Sequence, residues 1–234
     1  MPVYTKETAS GTLKPQIRRK SVTAVLPHPL AALLLGPTGS GKTPLGARSE
    51  RNGLAGRACH HFDFGSMLRR SIHPSSDLLH PKEKKFIRNL LKRNLLLEPD
   101  HFPIAERLFL SFYRSRSIQP DDLILMNGLP RHLEQARSVQ SLVHIRTVAV
   151  LQCSTRALRK RIRMNTGGDR SERTDDSLPS IRKKLAIYNE RTRPLVDYYI
   201  RHGCSILRIR IGIHTSPFES WEKLNTGFSR IILP

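Results

Sequence analysis

The sequence predicts an α/β fold: an open, parallel five-stranded sheet flanked by helices. Three observations predict it. From Leu30 onward, short apolar runs alternate with longer amphipathic ones, which is the pattern of parallel strands connected by helices on both faces. The apolar run Leu30–Leu35 leads directly into Gly36-Pro37-Thr38-Gly39-Ser40-Gly41-Lys42-Thr43, a complete G-x-x-x-x-G-K-[ST] phosphate loop at a strand-to-helix junction. The length, 234 residues, suits one such domain with small insertions and would cramp two.

Taken in order, strands are expected at 30–35, 58–62, 123–126, 147–151 and 206–211, each a short apolar run bounded by turn residues. Helices are expected after Thr43 and at 65–70, 82–96, 104–115, 133–143, 155–164, 178–202 and 217–224. In an open parallel sheet the ligand lies beyond the carboxyl ends of the strands. The phosphate loop, Phe64-Gly65 and Asn127-Gly128 should converge there.

The loop carries its own chemistry, that of a P-loop NTPase-type nucleotide site. Gly36, Gly39 and Gly41 allow backbone conformations closed to residues with a Cβ, so that successive N–H groups, including that of Ser40, can point at one anion. Lys42 reaches the outer phosphates, and Thr43 opens the next helix with a hydroxyl able to ligate magnesium. A plain Gly-rich turn would need neither the Lys-Thr pair nor the buried strand before it.

Lys+Arg 40 against Asp+Glu 19 gives a formal charge of +21, a surface suited to polyanions. No interleaved basic and aromatic motif supports nucleic acid as the partner, and only 6% of residues are aromatic. Cys59, Cys153 and Cys204 are odd in number and far apart, which suggests neither a disulfide framework nor zinc. His60, His61 and Asp63 match no trusted metal-ligand spacing. No apolar run approaches the ~18 residues of a membrane span. A monomer in a reducing, cytoplasmic setting is expected. Residues 1–29 are expected to be a plain basic tail in preference to a mitochondrial transit peptide, 30–225 the domain with an insertion at about 64–98 and a short lid at about 164–175, and 226–234 a C-terminal tail.

Three further segments carry a family resemblance. His61-Phe62-Asp63-Phe64-Gly65-Ser66-Met67-Leu68-Arg69 is similar to "HISTGDMLR" of the nucleoside monophosphate kinases, and Asn127-Gly128-Leu129-Pro130-Arg131-His132-Leu133-Glu134-Gln135-Ala136 to their "DGFPRTxxQA". Arg173-Thr174-Asp175-Asp176, then Ile181-Arg182-Lys183-Lys184-Leu185 and Pro194-Leu195-Val196-Asp197-Tyr198-Tyr199, resemble "RxDD…IRKRL…PLIDYY". The chain thus resembles the adenylate kinases, over about 30–224, in their short-lid form. The resemblance implies transfer of the terminal phosphoryl group of ATP to AMP, with Mg2+ carried on ATP. It implies that Arg69 and Arg131 hold the AMP phosphate, that Gln135 reads the adenine edge, with Phe64 and Gly128 in the same site, and that Arg161 lies against the donor base. Lys42, Arg131, Arg173 and Lys184 would surround the transferring group, and Asp175 and Asp176 would orient the lid. Read alone, Arg161 in the run Arg156, Arg159, Lys160, Arg161, Arg163 is a solvated helix face, and Arg69 a surface charge.

Several site positions depart from the family. Asn127 stands where the acid that holds magnesium's waters belongs, which makes it a weak metal contact; Asp121 and Asp122 begin the same strand and fall at the far end of the sheet. Phe64 replaces a threonine, Ser66 an aspartate and Lys184 a lid-side arginine, and Asn165 falls near another phosphate arginine. Two functional classes stay open: a working phosphotransferase, and a nucleotide-binding protein whose catalysis has decayed and whose basic surface holds RNA or another polyanion. Lys42, Arg69, Arg131, Gln135 and Arg173 together favour the enzyme, because phosphoryl-transfer geometry is what requires them jointly.

Overall fold

Five parallel strands, β1 (Leu30–Leu35), β2 (Cys59–Asp63), β3 (Leu123–Asn127), β4 (His144–Gln152) and β5 (Ser205–Arg210), form one sheet in the order β2-β3-β1-β4-β5. They come from a computed structural model that describes residues 28–170 and 177–232. β1 lies at the centre and shows continuous burial instead of alternation, because both faces of the sheet are covered. On one face, Ala32, Leu34, Leu125 and Ala149 pack with Leu45 of helix α1 (Lys42–Asn52) and Leu224 and Phe228 of α9 (Pro217–Ile232). On the other, Ala31, Leu33, Phe62 and Met126 pack with α2 (Phe64–Ser71), α3 (Pro81–Lys92), α4 (Phe102–Ser115), α5 (Leu133–Val139) and α8 (Leu195–Arg201).

The remaining α-helices among the described residues are α6 (Thr155–Met164) and α7 (Leu178–Ile187). The expected helix over 178–202 is interrupted. α7 gives way to a π turn at Tyr188–Thr192, closed by Arg193 N–H donating to the Tyr188 carbonyl, and Pro194 then has no N–H to continue the ladder. The expected helix over 82–96 stops at Lys92, where Asn94 turns to φ 52°. The last helix continues past Leu224 to Ile232, so residues 226–232 are part of the domain and not a tail. Phe228 is fully buried, Trp221 Nε1 donates to the Gly53 carbonyl at 2.9 Å, and Asn225 Oδ1 accepts from Ala55 N–H at 2.8 Å. Among the described residues no helix is long and apolar enough to cross a membrane.

Candidate active site

A single cleft runs along the carboxyl ends of β1, β2 and β3, lined on one side by Gly36, Gly39, Gly41, Lys42 and Thr43 and on the other by Phe64, Arg69, Arg131 and Gln135. One wall is built by the phosphate loop. Gly39 and Gly41 adopt φ 83° and 92°, and a Cβ at Gly39 would strike the Ile162 side chain. No side chain caps α1 at Gly41, so its first N–H groups face the cleft, the arrangement that binds an anion. Lys42 Nζ donates to the Gly36 and Pro37 carbonyls at 2.6 and 3.0 Å, and Ser40 Oγ ties back to the Pro37 carbonyl at 2.9 Å.

Arg161 is buried behind this loop. Its Nε donates to the Gly39 carbonyl at 3.2 Å and its Nη1 to the carbonyls of Gly212, Ile213 and Thr215 at 2.8, 3.2 and 2.8 Å. The guanidinium therefore ties the phosphate loop to the turn between β5 and α9. Its position is legible on the helix: Ala157, Leu158 and Arg161 share the buried stripe of α6, whereas Arg156, Arg159, Lys160 and Arg163 lie off it.

The opposite wall is built around Arg131. Gly128 at φ 84° and a cis Leu129–Pro130 peptide turn the chain sharply after β3. Gln135 then braces the turn, accepting from Arg131 N–H at 2.8 Å and donating to the Leu97 carbonyl at 2.7 Å, while Thr192 Oγ1 donates to the Arg131 carbonyl at 2.8 Å. His132 also reaches the Leu97 carbonyl, at 3.0 Å, a brace that nothing in the sequence pattern singles out. The Arg131 guanidinium has no carboxylate partner among the described residues, and burial pushes its pKa down to about 10. Arg69 is exposed on α2 at the mouth of the cleft, Phe64 is buried at the start of that helix, and Lys184 lines the cleft from α7.

Where the two sides meet, Thr43 Oγ1 donates to Asp63 Oδ2 at 2.7 Å, and Asn127 Nδ2 donates to the same oxygen at 2.9 Å. Asn127 Nδ2 also lies 3.3 Å from Thr43 Oγ1 and 3.4 Å from His61 Nε2. Burial pushes the His61 pKa down, against the opposing pull of Asp63 and Glu50, so the imidazole is neutral. His60 is elsewhere, paired with Asp122 at 2.8 Å, and no cluster of three metal-ligating side chains occurs among the described residues.

No protein-family model matches the chain. An adenylate kinase of Stenotrophomonas maltophilia (strain R551-3) is 31% identical over 180 residues, which are 73% of this chain and 86% of that protein. The chain belongs to the adenylate kinase family. A second adenylate kinase, from Prochlorococcus marinus (strain MIT 9211), is 33% identical over 174 residues, 71% of this chain and 81% of that protein. A gluconokinase from Sinorhizobium meliloti 1021 shares the fold, with a TM-score of 0.52 and 13% identity over 87% of this chain and 94% of that one.

Within this adenylate kinase family member, the departures have visible local causes. Asn165 ends α6 in the left-handed conformation, φ 47°, which asparagine tolerates better than arginine, and its Oδ1 accepts from Arg170 N–H at 3.1 Å. Ser66 offers its N–H to Asp63 Oδ1 at 2.9 Å, so Asp63 is the N-cap of α2. Asn127 acts as a hydrogen-bond donor toward a carboxylate one strand away. Arg173, Asp175 and Asp176, with most of the expected lid's second half, lie outside the described residues.

Proposed function

We propose that this protein is a nucleoside monophosphate kinase that moves the terminal phosphoryl group of ATP to AMP, giving two ADP. The observation that carries the reading is one cleft with an uncapped phosphate loop and Lys42 on one wall and, on the other, a desolvated Arg131 without a carboxylate partner among the described residues. A half-buried guanidinium with no counter-ion is destabilising until an anion joins it, and a guanidinium fork matches phosphate. The N–H groups of the loop and Lys42 hold the β- and γ-phosphates, while Arg131 and Arg69 hold the AMP phosphate facing them. An oxygen of that phosphate attacks the γ-phosphorus; the new P–O bond forms as the β–γ bridging bond breaks, and its electron pair leaves with ADP. AMP phosphate is already an anion, so no base is required. Lys184, and by resemblance Arg173, add positive charge from the lid side. Bound with ATP, Mg2+ would supply positive charge that offsets the charge of the polyphosphate, and Thr43 Oγ1 is the loop atom that would hold it.

The test is a coupled assay for ADP formed from ATP plus AMP, with and without Mg2+. Magnesium-dependent ADP production, reduced at least a hundredfold by Arg131→Ala, is expected. ATP binding without any transfer to AMP would overturn the kinase reading in favour of a nucleotide-binding protein.

A further inference from the structure

We propose that Asp63, at the end of β2, supplies the carboxylate that holds magnesium on the donor nucleotide, in place of the acid missing at Asn127. The proposal rests on the reading of the loop from Gly36 to Thr43 as an ATP site, and it adds a residue that the family's pattern does not assign to this task.

Three contacts fix the Asp63 carboxylate. The Thr43 hydroxyl donates to Oδ2 at 2.7 Å, the Asn127 amide donates to the same oxygen at 2.9 Å, and Ser66 N–H donates to Oδ1 at 2.9 Å. The first contact matters most for a cation. A hydroxyl whose proton is committed to a carboxylate keeps its lone pairs for other partners; the Asn127 amide reaches Thr43 Oγ1 at 3.3 Å, and the remaining lone pair can serve a cation in the cleft that Thr43 lines beside the phosphate loop. The third sets the carboxylate at the N-terminus of α2, where the helix dipole favours the anion. The second explains Asn127: its amide can donate to Asp63 Oδ2, which a carboxylate in the same place could not do.

The sheet makes the exchange geometrically small. Asp63 and Asn127 are register partners at the carboxyl ends of adjacent parallel strands. Moving the charge from one to the other displaces it by about one strand spacing, ~4.8 Å. Magnesium usually keeps several of its waters and takes only one or two protein carboxylates, so an acid reaching it through water tolerates such a shift. The other acid lining the cleft, Asp169, follows Gly167 and Gly168 after α6, beside Pro44, and its charge acts on Arg161; unlike Asp63 it is no register partner of Asn127, and Asp121 and Asp122 lie at the opposite end of the sheet.

The test uses Asp63→Asn, which keeps the size of the side chain and remains a good helix N-cap. ATP affinity is measured by titration calorimetry with Mg2+ and with EDTA, and Mn2+ binding to the protein–ATP complex by electron paramagnetic resonance, all without AMP. Wild type is expected to bind ATP more tightly with Mg2+. Asp63→Asn should lose that metal-dependent gain, about tenfold, while its metal-free affinity holds or rises, because a negative charge beside the polyphosphate has gone. The double variant Asp63→Asn/Asn127→Asp should recover the gain by returning the charge to β3. Asp63→Ser, another good cap, serves if Asp63→Asn does not fold. A variant that loses Asp63 but keeps the full Mg2+-dependent gain and Mn2+ signal would overturn the proposal. That outcome leaves the kinase reading intact, and failure of transfer to AMP would leave this one intact.

Discussion

Replacing Arg161 with methionine keeps the length of the buried stem and removes a guanidinium that donates to four backbone carbonyls at 2.8–3.2 Å. These carbonyls are only part-buried, so each one left without a donor costs at most about 1–3 kcal/mol. Water entering the gap would recover part of this, and loss of a desolvated charge offsets another part, since burial lowers the Arg161 pKa. A net loss of about 3–5 kcal/mol follows. For a domain of this size each kcal/mol moves the melting temperature by about 2–4 °C, so a fall of about 10 °C is expected by calorimetry. Arg161→Lys should fall in between, because one ammonium cannot span both the Gly39 carbonyl and the turn carrying Gly212 and Thr215. ATP affinity should drop in both variants as the loop loses its tie. A methionine variant that melts within about 2 °C of wild type, with unchanged ATP affinity, would refute the strut and restore the solvated-cation reading of this helix.

Lys42→Ala should abolish ATP binding in titration calorimetry, since it removes the cation that reaches the outer phosphates; an unchanged affinity would displace the site from this loop. Arg131→Met should cripple AMP use yet raise the melting temperature without ligand: a cation whose folded pKa is pushed down to about 10 destabilises the fold at every pH below that value, by on the order of 1–3 kcal/mol here. A lower melting temperature for this variant would show that Arg131 has a structural partner. Gly46→Ala should cost about 1–3 kcal/mol, because the added methyl would fall inside the His61 ring, and His61→Ala should relieve the loss in a double variant. The hydrogen bond and charge of Arg191 hold Glu98 below the usual carboxylate range, so the pair stabilises the fold above pH ~4.5 and is lost as pH falls through the lower folded value. Both groups are partly exposed, so Glu98→Gln should lower stability near pH 7 by under about 1 kcal/mol and leave no difference near pH 2.

The parallel sheet was legible because its strands are short and apolar with glycine at their carboxyl ends, Leu30–Leu35 before Gly36 and Leu123–Asn127 before Gly128. The loop residues were legible as well, since their chemistry lies in contiguous sequence. What escaped the sequence depends on neighbours far away along the chain. Asp63 looked like one polar residue in an unconvincing metal pattern; only the β2–β3 pairing sets it between Thr43 and Asn127. For Gln135 the resemblance implies contact with the adenine edge, and the sequence does not show that its amide also braces the Arg131 turn through Leu97, thirty-eight residues upstream. The break in the helix after Ile187 could have been expected from Pro194, whereas the extension of α9 to Ile232 could not be separated from a tail without knowing that Phe228 has a core to enter.

The contacts of α9 also bear on how the protein comes off the ribosome. Trp221 reaches Gly53 across 168 residues and Asn225 reaches Ala55 across 170. Until residues 217–232 emerge, the face of the sheet carrying Leu34 and Leu125 is covered by α1 alone, although the phosphate loop was translated long before. A nascent chain should therefore hold its nucleotide loop on an unfinished face, in need of sheltering from aggregation, and close that face in one late step.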